Sequence, residues 1–199
     1  SAASDVYKRQ IEMAPEAEWS GVKAKYELPD EYVLYLGRVS KAKVDKLLPY
    51  FLRCKAKYGG DAKLVLVGGF ENEIRKFDSP DILFTGYVSD EEKTAIVRHA
   101  TVMVNPSPME SLSLLMLEGM QSRIPLLVNG RSKVMKDHCR LSGAGLWYNN
   151  GRDFRKKLHR LLSDPELRRT MSEKGPAYVR EHYDWEIIIP KLRTLIESI

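Results

Sequence analysis

Six short apolar runs, spaced along the middle of the chain, constrain its fold more than any other feature. They are YVLYLGRV (32–39), KLVLVGG (63–69), DILFTGYV (81–88), TVMVNPS (101–107), IPLLVNG (124–130) and GLWYN (145–149). The first, second, fourth and fifth are apolar at nearly every position, whereas a strand with one wet face alternates. Strands of this kind need cover on both faces, as in a parallel sheet whose crossover helices pack above and below. Helical patterns fall between the runs, at 44–58, 71–77, 90–100, 111–123, 132–141 and 151–163. In the first, Val44, Leu47, Leu48, Phe51 and Leu52 recur at helical spacing, and Pro49 predicts a kink or a later start. Ser89 ahead of DEEK predicts a capped helix start with acids in its first turn. After Tyr148 the strands stop and three helical stretches follow. The expected fold is α/β: a Rossmann-like, doubly wound parallel sheet of six strands, helices on both faces and a helical C-terminal tail. Such sheets bind ligands at the carboxyl ends of their strands.

A chain of 199 residues suits one domain with a full core. Its apolar runs are too short to cross a bilayer, and a net charge of +5 suits an anionic ligand or an anionic membrane surface. No basic tract is interleaved with aromatics, so nucleic acid is not an expected partner. Two cysteines, Cys54 and Cys139, make no disulfide framework and fit a cytoplasmic protein. His99, His138, His159 and His182 are scattered, and neither CxxC nor HExxH occurs, so no metal site is expected. DVYKRQ (5–10) is the translation of a common sequencing-adaptor end. Residues 1–10 are therefore expected to be either an artefact or an ordinary disordered N-terminus, 1–29 an N-terminal segment, and 30–199 the domain.

Three strand-to-helix junctions that would open on one sheet edge carry unusual residues. In GRVSKAK, Gly37 permits close backbone approach while Arg38 and Lys43 can meet an anion; a solvated basic turn is the plainer reading. In VGG, Gly68 and Gly69 leave room for a sugar or phosphate, although GxGxxG is missing and turn geometry explains the pair equally well. The third junction is NPSPMESLSLLMLEGM (105–120). A helix starting near Ser111 to Ser113, capped by either serine, would offer free N–H groups to a phosphate. Glu110 would lie just outside it, where a helix-dipole acid is the plain alternative, and Glu118 about 12 Å farther along. That separation is too large for the carboxyl pair of a glycoside hydrolase. An acid among Leu114, Leu115, Leu117 and Met120 costs several kcal/mol unless something pairs with it, so Glu118 needs a partner.

In order and spacing, GRVSKAK, KLVLVGG, ILFTGYVSDEE, NPSPMESLSLLMLEGM and IPLLVNG resemble the C-terminal half of GT-B retaining glycosyltransferases of family GT4. The resemblance covers about residues 30–199 and sets the family's E-x7-E signature at Glu110 and Glu118. It implies a domain that binds a nucleoside-diphosphate sugar. Arg38 and Lys43 would contact the diphosphate, Glu110 the sugar hydroxyls and Glu118 the ribose diol. Backbone at Tyr87 and Val88 would meet the base, and backbone at Ser111, Leu112, Ser113 and Leu114 the sugar and phosphate. The family often has glycine where Ser113 and Val44 stand. No Asp-x-Asp occurs, so leaving-group charge would fall to fixed cations and N–H groups rather than to a metal or other cofactor. The resemblance also implies a separate N-terminal GT-B domain binding a sugar or lipid-linked acceptor, front-face transfer with retention, and no turnover by this polypeptide alone. The alternatives are half of a nucleotide-sugar epimerase or a non-catalytic nucleotide-sugar-binding module. RDFRKKLHRLL sets Phe154, Leu158, Leu161 and Leu162 opposite a basic face. It packs on the core in the plain reading and contacts the inner face of the membrane peripherally in the other.

Overall fold

The computed structural model describes residues 13–71 and 79–197. Six strands, β1 (Tyr32–Leu36), β2 (Lys63–Val67), β3 (Ile82–Gly86), β4 (Val102–Asn105), β5 (Leu126–Asn129) and β6 (Gly145–Tyr148), form one sheet in the order β3-β2-β1-β4-β5-β6. Every pairing is parallel. Each expected strand is present and shorter than its apolar run, chiefly at the carboxyl end, where glycines and polar residues leave the ladder for loops, while β5 also begins two residues late, after Pro125.

The apolar runs divide by alternation between two cores. Tyr32, Leu34, Val65, Val67, Met103, Leu126 and Val128 face one helix layer, and Val33, Tyr35, Leu64, Leu66, Val102, Val104 and Leu127 face the other. Continuous hydrophobicity with period-two splitting is what a sheet covered on both sides requires.

On the first face lie α1 (Trp19–Lys25), α4 (Asp90–Arg98), α5 (Leu114–Gln121) and α6 (Lys133–Ser142). On the second lie α2 (Lys41–Val44), α3 (Leu47–Tyr58) and α7 (Gly151–Ser163). Long α8 (Pro165–Tyr183) gives Tyr178 and Val179 to the first core and Met171 to the second, and α9 (Trp185–Glu197) ends the described chain. The expected helix at 71–77 lies outside the described residues apart from Glu71.

Pro49 takes the third position of α3, where a missing N–H costs no helical hydrogen bond, so the helix expected over 44–58 takes the later start, at Leu47, and Val44 instead closes the short α2. Ser89 and Glu92 form a reciprocal capping box on α4. Helix α1 carries no signal in the sequence, yet it and the residues just before it are tied to α4 and its C-terminal cap. Arg98 meets Glu16 at 2.9 Å, Lys25 meets Glu92 at 2.6 Å, and Trp19 stacks on His99 at 3.9 Å between ring centroids. The apolar face of α7 is spent on the core, with Phe154, Leu158 and Leu161 wholly buried. Among the described residues no helix is long and apolar enough to cross a membrane.

Candidate functional site

Strands β1 and β4 are sheet neighbours whose chains leave in opposite directions, and the crevice at their carboxyl ends is the topological switch point. A cavity of about 200 Å³ sits there, lined by Gly37, Lys43, Asn105, Glu110, Ser113 and Leu114, among others. Along Leu36, Gly37 and Leu115 it adjoins a wider cleft of about 720 Å³ over the ends of β2 and β3, walled by Arg38, Gly68, Gly69, Tyr87, Val88 and Lys93. The three junctions singled out in the sequence therefore meet on one edge.

The glycines form the floor. Gly68 has φ +128°, and a Cβ there would lie 2.3 Å from the carbonyl oxygen of Gly37, so only glycine lets the loops after β1 and β2 touch. The ladder continues across them: Gly37 N donates to Val67 O, Val39 N to Gly69 O and Gly68 N to Gly86 O, each at 2.9 Å. A Cβ on Gly69 would come within 2.6 Å of the Tyr87 ring, which lies across it and is 86% exposed. That exposed ring beside a bare backbone is a flat surface suited to a base.

Arg38 is exposed and stands 3.8 Å from Glu71, whose other oxygen accepts from Lys41 N at the start of α2. The Tyr35 hydroxyl donates to Arg38 O at 2.9 Å and fixes the turn that presents Lys43. Burial first, and the charge of nearby Glu110 second, push the Tyr35 pKa up to about 12, so it remains a donor at any physiological pH. Val44, where the family often has glycine, is fully buried in α2 and anchors the basic loop to the core.

Two asparagines that the sequence reading passed over shape the loop bearing Glu110. Asn105 ends β4, accepts from Ser107 N at 3.0 Å and donates to Ser113 Oγ at 3.2 Å. Asn129 ends β5 and donates to Pro106 O at 2.9 Å. Asparagine directly after an apolar strand is a turn signal that could have marked both. Lys93, Phe70 and Glu71 also belong to the wall and were not foreseen.

The expected serine cap is not formed. Helix α5 begins at Leu114, and Ser113 sits before it at φ 59° and ψ 67°, with its hydroxyl engaged by Asn105 rather than by the helix. A capping side chain needs an extended backbone at that position. The left-handed geometry explains why glycine suits this position in the family, and a serine here carries strain that the Asn105 bond helps to hold. Met116 N bonds to Ser113 O, so the N–H groups of Leu114 and Leu115 lack helical partners where both residues line the cavity. Ser111 and Leu112 do not line it.

Glu118 is half-buried on α5 and lines neither cavity. Its Oε2 has no hydrogen-bond partner, and Lys93 Nζ lies 3.5 Å away. Burial raises its pKa above the ordinary carboxylate value, Lys93 opposes that rise, and Asp90 adds to it. The partner demanded by its surroundings is thus Lys93, which itself reaches the cleft wall. Among the described residues no three His, Cys, Asp or Glu side chains gather in a metal-binding group.

Comparison with known proteins bears on the family and the fold. Alpha-D-kanosaminyltransferase of Streptomyces kanamyceticus is 30% identical over 187 residues, covering 87% of this chain and 46% of the relative. Among solved structures, the C-terminal domain of a glycosyl transferase group 1 family protein (LpcC) from Francisella tularensis matches with a TM-score of 0.71 and 18% identity, covering 88% of this chain and 97% of that one. Anabaena HepE in complex with UDP matches with a TM-score of 0.76 and 14% identity, covering 91% of this chain and 52% of that one. The structural likenesses bear on the fold alone. The chain spans less than half the length of the curated relatives it matches. The family model "Glycosyl transferases group 1" covers residues 21–178, and the protein belongs to that family.

Proposed function

We propose that this chain is the donor-binding half of a GT-B glycosyltransferase that takes a nucleoside-diphosphate sugar and, with an N-terminal domain, transfers the sugar to a sugar or lipid-linked acceptor with retention, in the cytoplasm. The observation that carries the reading is the convergence on one crevice of Arg38, Lys43, the free N–H groups of α5 and the Glu110 carboxylate. A diphosphate seated between the two cations and the α5 terminus would find charge and N–H donors without a metal. Its base would lie along Tyr87 and Val88, and its transferred sugar would reach Glu110.

Glu118 takes the ribose diol in this reading. Carboxylates accept from vicinal hydroxyls in pairs, and an oxygen without a hydrogen-bond partner is available to such a donor once Lys93 gives way. As the sugar–phosphate bond breaks, negative charge grows on the leaving diphosphate, where Arg38, Lys43 and the helix N–H groups are fixed. That phosphate would accept the proton from the acceptor hydroxyl attacking on the same face.

Calorimetric titration of the chain with UDP, GDP and ADP, without added metal, tests the reading. Binding of at least one nucleotide, weakened about 10-fold in Arg38→Ala, is expected. No binding, or binding indifferent to Arg38 and Glu118, would favour an interaction module that has lost its donor site.

A further inference from the structure

A second surface takes no part in the cleft. Helices α3 and α7 lie side by side and parallel, in constant register. The Tyr50 ring sits so close to Gly151 that a Cβ there would be 2.6 Å away, Cys54 Sγ reaches Arg155 O at 3.6 Å, and Tyr58 stacks on His159 at 4.0 Å. These contacts recur every fourth residue on both helices, so their outward residues share one face. That face carries Lys46, Arg53 and Lys57 at and along α3, with Arg152, Lys156 and Arg160 from α7, all exposed.

The charge there is concentrated. Residues 46–58 hold four basic and no acidic side chains, and 151–163 hold five basic and one acidic, a net +8 in a chain whose total is +5. The one acid, Asp153, is held by Lys157 at 3.0 Å. Among the described residues, none of the six outward cations joins an ion pair. Elsewhere the pattern differs: Arg169 on α8 lies between Glu166 at 2.6 Å and Glu173 at 2.7 Å, and Arg140 on α6 meets Asp137 at 3.4 Å.

We propose that this two-helix face docks on an anionic lipid surface. Helices of 12 and 13 residues present a plane about 20 Å long, matched to an array of headgroups rather than to one small anion. The apolar side chains of both helices are committed to the core, so attachment is electrostatic and reversible, without insertion. The aromatic residues Tyr50, Tyr58 and Phe154 are turned into the helix–helix and core contacts, which removes the stacking platform a single-stranded nucleic acid would use. The face flanks the sheet, leaving the cleft at its carboxyl edge open when the protein is docked.

Co-sedimentation with vesicles of phosphatidylcholine containing roughly a third phosphatidylglycerol, beside pure phosphatidylcholine and a single-stranded oligonucleotide, tests the assignment. Binding to the anionic vesicles alone is expected, falling at least ~10-fold between about 0.05 and 0.5 M salt. The combined variant Arg53→Glu, Lys57→Glu, Arg152→Glu, Lys156→Glu should lose about 100-fold of it. Arg123→Glu with Arg180→Glu, on the opposite helix layer, should bind nearly as well as the unaltered chain. Equal binding to neutral vesicles, indifference to the fourfold variant, or binding of the oligonucleotide without the vesicles would overturn the proposal. Should circular dichroism show the fourfold variant unfolded, the salt and neutral-vesicle results on the unaltered chain decide.

Discussion

Lys93 Nζ stands 3.5 Å from Glu118 Oε2, an ion pair between two helices, α4 and α5, in which Lys93 lines the cleft and Glu118 does not. The pair lacks hydrogen-bond geometry, and the carboxylate oxygen is sealed from water. Glu118 is therefore held in readiness at a cost to the fold: its charge is only partly compensated until a ligand hydroxyl reaches it.

That cost has a direction with pH. Burial holds the Glu118 pKa above its unfolded value, so the folded state favours the protonated form and loses stability as pH rises through the carboxylate range. Glu118→Gln should raise stability by about 1 kcal/mol near neutrality, with the gain vanishing toward acid pH where the native carboxyl is protonated. Thermal melts at pH 4 and pH 7 (roughly spanning the carboxyl titration) check this. The same variant should bind a nucleoside diphosphate about 10- to 100-fold more weakly, as expected when a charged hydrogen-bond acceptor is lost. Stability and affinity would move in opposite directions.

Arg38 and Lys43 are exposed and hold no part of the core, so Arg38→Ala and Lys43→Ala should leave the melting temperature within about 1 °C. Each should weaken nucleoside diphosphate binding by about 10-fold, and raised salt should weaken binding to the unaltered chain in the same sense. Calorimetry at two salt concentrations reads both effects.

Gly68→Ala tests the floor of the cleft. A methyl group at φ +128° and 2.3 Å from Gly37 O forces the β1 and β2 loops apart. Destabilisation of about 2–4 kcal/mol is expected in denaturant melts. Gly59→Ala, also at positive φ but with nothing within 4 Å, should cost less.

The 199-residue chain should bind donor and fail to transfer sugar, since the proposed function puts the acceptor on an N-terminal domain. A radiolabelled-donor assay with simple sugar acceptors checks this, and measurable transfer by the chain alone would contradict it.

The sheet was legible because its strands are apolar on both faces, and that pattern has one common solution. The cleft was legible at Gly37, Gly68 and Glu110, whose residue types are odd for the junctions they occupy. What the sequence hid depends on contacts distant along the chain. Nothing in VKAK or its neighbours marks a helix over Trp19–Lys25, because that element is held by the Lys25–Glu92 ion pair and the stack of Trp19 on His99 at the end of α4. The partner of Glu118 lies 25 positions upstream, on a helix that reads as an ordinary charged surface. Ser113 reads as a cap by composition, and only its left-handed backbone shows that the hydroxyl faces Asn105 instead.

In the proposed donor complex a diphosphate lies between Arg38, Lys43 and the start of α5. A crystal structure of the chain soaked with a nucleoside diphosphate tests it most directly. Phosphate density is expected within hydrogen-bond reach of Arg38, Lys43 and the Leu114 and Leu115 N–H groups, with the ribose directed at Glu118. Density at any other edge of the sheet, or a nucleotide that leaves the Lys93–Glu118 pair undisturbed and its ribose elsewhere, would contradict it.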